Sequence, residues 1–362
     1  MNKSELQAAI KVICDQSAIP VLDCCVTNGT ASQQFSIGID CAPIAATTAS
    51  PTVQPLRFLI ASITKPIVAM AVLKLAAEGR LCLTTRIPDL FPNLRNPTYR
   101  RITIRHLLTH SSGLGESIER NIELRQAAAP LADFMKAAED ESLIFTPGTN
   151  CKYSSIGYML LGSIVEQITQ QPLSDYLRTE IFEPLGMTST SLGTIANDPS
   201  VLPNNLPTWQ HDADSWGWNS NYWKQFAAAW GGMYSTSADL IRLANMFLND
   251  GRTLDGTVVL PTPVVRSMIA NQTAALKTVT ENSGPAKNWS FGFRMQWPDH
   301  PASFCDFVSG HTVGHWGATG TLIWIDPVTG SAACVLTTIP FEQSRDAIQR
   351  ISNLLACHAM HT

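Results

Sequence analysis

The chain has 362 residues, 45% of them apolar and 15% charged, a balance that allows a large core in one large domain or two closely joined ones. Its net charge of -4 leaves no basic footprint, which excludes nucleic acid as a main partner. No apolar run reaches the length of a membrane span, which argues against a membrane partner.

Over residues 4–16, Leu6, Ala9, Ile10 and Ile13 fall on one helical face. This opening stretch carries acidic residues and lacks the apolar centre of a signal peptide, so it reads as a structural helix of a cytoplasmic protein. After Pro20, VLDCCVTNG and QFSIGID are two short β-like runs joined through Asn28-Gly29-Thr30. Residues 40–57, rich in Ala, Thr and Pro, read as a loop. The nine cysteines contain no C-x-x-C pair, which suggests neither a disulfide framework nor a zinc ribbon and fits a reducing compartment. Cys14, Cys82, Cys151 and Cys334 lie in apolar surroundings and are expected in the core.

The stretch 58–80, FLIASITKPIVAMAVLKLAAEGR, is hydrophobic nearly all round, so its helix is expected to be buried. Pro66 suits the first turn and Gly79 the end. Ser62 then sits at the mouth of that helix, one turn before Lys65 on the same face. A serine hydroxyl needs a base before it attacks, and a desolvated lysine with a lowered pKa is such a base. Alone, S-x-x-K arises often by chance and the bland reading of Lys65 is a surface lysine, against which the strongly apolar helix that follows argues.

From 81 to 289 the pattern is mainly helical, with Pro- and Gly-bearing loops. Thr103 is expected to cap a helix in RITIRHLLTHSSGL (101–114). Short helices follow at 130–139 and 172–182, and Pro147-Gly148 turns the chain into an apolar helix entered through Tyr153-Ser154-Ser155. Five tryptophans, 209, 216, 218, 223 and 230, fall in 203–230, enough to wall a pocket or to pin an irregular loop to the core. Thr236 or Ser237 caps a helix that ends at Gly251. After 290, FGFRMQW (291–297), the run from His315 through TLIWID (321–326), and SAACVLTT (331–338) read as strands, and a helix closes the chain at 342–357. The fold class expected is α+β: an antiparallel sheet built by 1–80 and 290–362 and flanked by terminal helices, with the helical region 81–289 inserted and the active site at their interface.

Three clusters stand at element boundaries: Ser62 with Lys65, Tyr153-Ser154-Ser155, and His315-Trp316-Gly317-Ala318. With these, SITKP (62–66), HLLTHSSGL (106–114), FTPGTNCKYSS (145–155), IFEPLGMTST (181–190), GGMYSTSADL (231–240) and HWGATGT (315–321), the chain resembles the serine β-lactamase and penicillin-binding-protein superfamily. It looks most like the branch holding class C β-lactamases, D-stereospecific peptidases and the β-lactamase-like family VIII esterases. The resemblance runs from about residue 55 to 340 and implies a β-lactamase/transpeptidase-like fold.

The resemblance further implies that Ser62 forms an acyl-enzyme, with Lys65 and Tyr153 sharing the proton work, the base being assigned to neither alone. Backbone N–H groups of Ser62 and Ala318 would form the oxyanion hole, and Gly317 would allow close approach. Two departures stand out. Ser155 occupies the Asn position of Tyr-x-Asn, and His315-Trp316 stands where K-T-G begins, His315 replacing a lysine with a group of conditional charge. Both weaken recognition of a β-lactam's amide and carboxylate, and Trp316 is expected to suit an ester's acyl or alcohol part. His106, His110 and His311 are read as structural or surface residues, with His110 at most behind the site.

The expectation is a serine carboxylesterase acting on small to medium acyl esters. No cofactor or metal motif is present: no P-loop, Rossmann fingerprint, H-E-x-x-H or G-x-S-x-G elbow. The alternatives are a β-lactamase, a D-Ala-D-Ala carboxypeptidase or D-aminopeptidase, and an acyltransferase on the same acyl-enzyme. A non-catalytic acyl-binding or sensor protein stands outside the enzyme class. In each case the partner is a small-molecule ester or amide.

Overall fold

Alternating side chains on three consecutive C-terminal strands have to be buried on both faces, and the two chain termini supply the cover. A computed structural model describes residues 1–39, 55–92, 94, 96–206, 216–276, 288–296 and 303–359. Its main sheet is antiparallel, in the order β2-β1-β9-β8-β7-β6, with β1 Leu22–Thr27, β2 Ser32–Ile37, β6 Arg294–Met295, β7 Val313–Gly317, β8 Thr321–Asp326 and β9 Ser331–Thr337. Leu22, Cys24, Val26, Leu322, Trp324, Ala333 and Val335 face the terminal helices Lys3–Gln16 and Phe341–Ala359. Cys25, Ile323, Ile325, Ala332, Cys334 and Leu336 face the rest of the molecule. This period of two is what a doubly covered sheet requires. Trp324, fully buried, donates its indole N–H to Ser352 Oγ at 2.7 Å and ties the last helix to the sheet.

The helix at the start is closed by a capping box between Asn2 and Glu5. The hydrophobic stretch after 58 forms the helix Thr64–Ala77, and its residues Thr64 to Leu73 are all buried. Gly79 ends it at φ +74, where a side chain would be strained. A 3-10 turn, Ala61–Ile63, precedes this helix and carries Ser62. Across from it runs the helix Ser155–Thr169, capped by Ser154, whose hydroxyl accepts from the Gly157 N–H. Thr103 and Thr236 cap Ile104–Leu108 and Ser237–Leu248 as the sequence suggests.

Several expectations are revised. The run from His315 to Asp326 is two strands, because the backbone turns back at Gly320 (φ +89) and β7 pairs antiparallel with β8. The 203–230 stretch contains a short helix, Asn221–Phe226, and among the described residues 291–296 only Arg294 and Met295 form a strand, β6. A second sheet, β3-β5-β4 (Phe58–Leu59, Met233–Ser235, Ser191–Leu192), lies partly inside the region read as helical. Cys82 is exposed and Cys151 half-buried, not core residues. Trp209, Trp297 and most of the 40–57 loop fall outside the described residues.

Candidate active site

The site is assembled where three non-adjacent pieces of chain cross. Main-chain and side-chain bonds from both sides hold the turn that bears Ser62. Ile60 N–H donates to Met233 O at 2.9 Å, and the Met233 N–H donates to Thr64 Oγ1 at 3.1 Å. From the β7–β8 turn, Thr319 donates to Leu59 O at 2.5 Å and Thr321 to Ile60 O at 3.1 Å. Ala61, immediately before the serine, sits at φ +43, a conformation worth about 1–3 kcal/mol of strain in a residue with a Cβ. Such strain persists only where the surroundings over-determine it, and these four bonds do so.

Lys65 is 1% exposed. Its Nζ lies 3.2 Å from Ser62 Oγ and donates to Trp230 O at 2.6 Å. Its ammonium also lies 4.7 Å from the centre of the Tyr153 ring. Burial pulls its pKa down to about 7, opposed by the nearby Glu116 carboxylate. From the other side, Tyr153 donates its phenol to Ser62 Oγ at 2.7 Å. Burial pushes the Tyr153 pKa above the usual phenol range, with the bond to Ser62 acting the other way. Tyr153 is held within a ring cluster of His110 (4.8 Å between centroids), Trp289 (5.9 Å, stacked) and His315 (5.9 Å).

On β7, His315 and Gly317 face this cluster. A Cβ on Gly317 would come within 2.4 Å of Ile60 O and 3.1 Å of Ala61 Cβ, so only glycine lets the strand approach the serine turn. Ala318 follows, exposed, with its carbonyl bonded to the Phe341 N–H at 2.9 Å. His315 is buried, and its Nδ1 is 2.7 Å from Trp316 O. A carbonyl only accepts, so Nδ1 carries the proton and Nε2 presents a lone pair. Burial first, then the Lys65 charge, pull the His315 pKa down to about 3, so the residue is neutral near pH 7, where a lysine would be charged.

Side chains alternate along a strand, so with His315 on the cleft face Trp316 is on the other. Its ring stacks on Phe341 at 5.6 Å and 8°, lies under the Arg294 guanidinium at 4.2 Å and packs against the core beneath the terminal helices. Ser155 begins the helix Ser155–Thr169, with its N–H bonded to Glu116 O at 2.8 Å. It lines a small open cleft shared with Ser117, Ile118, Asn121, Phe134, Ile156, Met159 and Trp230. Three features were not foreseen: Trp230, acting through its carbonyl; Trp289; and the extent of the contacts of His110. The glycines after Trp230 were the one available signal, since a Cβ on Gly232 would lie 2.5 Å from Ala228 N.

A serine at the head of a buried helix, met by a tyrosine from the helical region beside the third strand from the end, is the arrangement of the β-lactamase/transpeptidase-like fold. Solved structures show the same fold: over 98% of both chains it superposes on EstCE1, titled a hydrolase with promiscuous acyltransferase activity, with TM-score 0.74 at 17% identity. Residues 46–357 match the family model described as Beta-lactamase, and the chain belongs to that family. It is 30% identical over 302 residues to penicillin-binding protein 4 of Amycolatopsis lactamdurans, covering 77% of this chain and 71% of the relative. It is also 28% identical over 321 residues to esterase EstB of Burkholderia gladioli, covering 79% and 78%. Members of this fold family are hydrolases, and esterase and penicillin-binding relatives both occur among them.

Proposed function

We propose that the chain is a serine carboxylesterase that forms an acyl-enzyme at Ser62 and acts on small to medium acyl esters. The observation that carries this is one oxygen, Ser62 Oγ, lying within hydrogen-bonding distance of both a buried lysine and a tyrosine. The opposite pKa directions divide the proton work: neutral Lys65 takes the Ser62 proton, and Tyr153, held protonated, gives one to the departing alkoxide. The Oγ–carbon bond forms as the ester carbon–oxygen bond breaks, and the Lys65 ammonium returns the proton to Tyr153. Water, deprotonated by the same pair, then releases the acid. The Ser62 and Ala318 N–H groups receive the developing oxyanion.

Two observations favour esters over β-lactams or peptides ending in a carboxylate. His315, neutral and turned onto Trp316 O, offers no charge to pair with a carboxylate. The small cleft beside Ser155 presents Ile118, Phe134, Ile156, Met159 and Trp230 together with Ser117 and Asn121, a mainly apolar wall that carries no charge to attract a carboxylate. The likeness to esterase EstB supports the same reading. The test is turnover of p-nitrophenyl acetate and butyrate beside a chromogenic cephalosporin, with Ser62→Ala as control. Esters cleaved and cephalosporin spared, with all activity lost in the variant, is the expected result. Rapid cephalosporin hydrolysis would replace this reading with a β-lactamase, and acylation without turnover with a sensor.

A further inference from the structure

We propose that His110 is the positioning residue that holds the Tyr153 phenol against Ser62, gripping the backbone on both sides of the tyrosine without touching substrate. This rests on the acyl-enzyme reading for its functional consequence, though not for its geometry.

Residues 151–154 belong to neither helix nor strand, so no ladder of hydrogen bonds fixes Tyr153. His110 takes over that task. Its carbonyl accepts the Lys152 N–H at 2.9 Å, and its Nδ1 accepts the Ser154 N–H at 3.0 Å. The residues bracketing Tyr153 are therefore both bonded to one histidine, whose ring also packs on the tyrosine ring at 4.8 Å. The histidine is itself immobilised. It is fully buried, with Tyr158 at 5.2 Å and Trp289 at 4.3 Å against its ring. Its backbone sits at φ +56, in the left-handed region that asparagine and histidine enter more readily than other side chains.

The chemistry of the grip is specific. A backbone N–H needs a lone pair on Nδ1, so the ring must be neutral with its proton on Nε2. Burial first, and then the nearby Lys65 ammonium, hold the imidazole well below its usual pKa. His110 therefore serves as a fixed acceptor and takes no part in proton transfer. A tyrosine displaced by about 1 Å can lose on the order of 100-fold in rate, which is the scale of what the grip secures.

Asparagine and glutamine separate this role from mere packing. The Oδ1 of asparagine stands where Nδ1 stands and tolerates the same backbone, whereas the glutamine amide reaches past it. We expect His110→Asn to keep kcat for p-nitrophenyl butyrate within a few-fold and His110→Gln to lose about 10- to 100-fold at unchanged KM, with both melting at similar temperatures. Crystal structures of the two should show the Tyr153–Ser62 contact kept in the first and lengthened in the second, a readout independent of activity. In the unmodified protein, ¹⁵N spectra should show His110 as the neutral Nε2–H tautomer from pH 5 to 9. Equal losses in the two variants, a loss confined to KM, an unmoved phenol in His110→Gln, or an Nδ1-protonated ring would each overturn the proposal. Absence of any ester turnover in the unmodified protein, with the contacts and tautomer as stated, would instead remove the esterase reading and leave the grip standing.

Discussion

The Tyr153 phenol and the Ser62 hydroxyl oxygen are 2.7 Å apart, although the two residues are 91 positions apart in the chain. Their meeting depends on Ser62 being presented by a strained 3-10 turn and Tyr153 by an unpaired segment ahead of a helix. Lys65 approaches the same oxygen at 3.2 Å from within the core. Under the proposed mechanism Lys65 accepts the serine's proton and Tyr153 donates one to the leaving group.

The first consequence concerns pH. Lys65 must be neutral to act as base, and its pKa is about 7. The rate constant kcat/KM should climb tenfold per pH unit below that value and level off above it. Tyr153 is pushed above the ordinary phenol value, so no falling limb should appear below about pH 10. A profile flat from pH 5 to 9, or one that falls between 8 and 9, would contradict the assignment.

Lys65 also costs stability. A buried lysine at about 7 in the folded chain, against 10.5 when exposed, means that the unfolded chain binds more protons between those values. Stability therefore rises with pH across that window, and below it the penalty is on the order of 5 kcal/mol. Lys65→Met should abolish turnover, raise the melting temperature by several degrees at pH 7, and flatten the rise in stability between pH 7 and 10. A less stable Lys65→Met protein would show that the charge is better accommodated than its burial implies.

Tyr153→Phe removes the donor while leaving the ring packing. The loss should be about 100-fold or more for an alkyl ester, whose alkoxide needs a proton, and much smaller for a p-nitrophenyl ester, whose phenolate leaves without one. Rates of ethyl and p-nitrophenyl butyrate hydrolysis in the two proteins check this. Equal losses on both would mean that the phenol acts on Ser62 alone.

Gly317→Ala drives a methyl group into Ile60 O and Thr321 Oγ1, at 2.4 and 2.3 Å. Relief requires β7 to move off the serine turn and to carry Ala318 N–H away from the oxyanion position. We expect kcat to fall by about 100-fold and stability by about 1–3 kcal/mol, read from turnover and urea unfolding. An unchanged kcat would separate this strand from the chemistry.

Much of this was legible from residue types and spacing. Ser62 and Lys65 show in the sequence as an S-x-x-K pair at the head of an apolar helix, a pattern that alone arises often by chance, and Tyr153 is singled out through the family resemblance; Pro66, Gly79 and Ser154 mark the element ends around them. The Trp230 carbonyl was invisible, since every residue has one and only folding chooses which faces the lysine. The strand's period of two sends His315 and Trp316, neighbouring letters of one motif, to opposite faces, which their adjacency in the sequence does not show. The small sheet β3-β5-β4 escaped because strands of two or three residues carry no periodicity to read. His110 was underrated because its importance lies in a positive φ and two backbone contacts, neither of which a residue letter records.

The most direct test is intact-mass and peptide-mass analysis after reaction with a p-nitrophenyl alkylphosphonate. One adduct per chain, on the peptide containing Ser62 and lost in Ser62→Ala, is the predicted result. An adduct on any other residue, or none in a preparation that still hydrolyses esters, would contradict it.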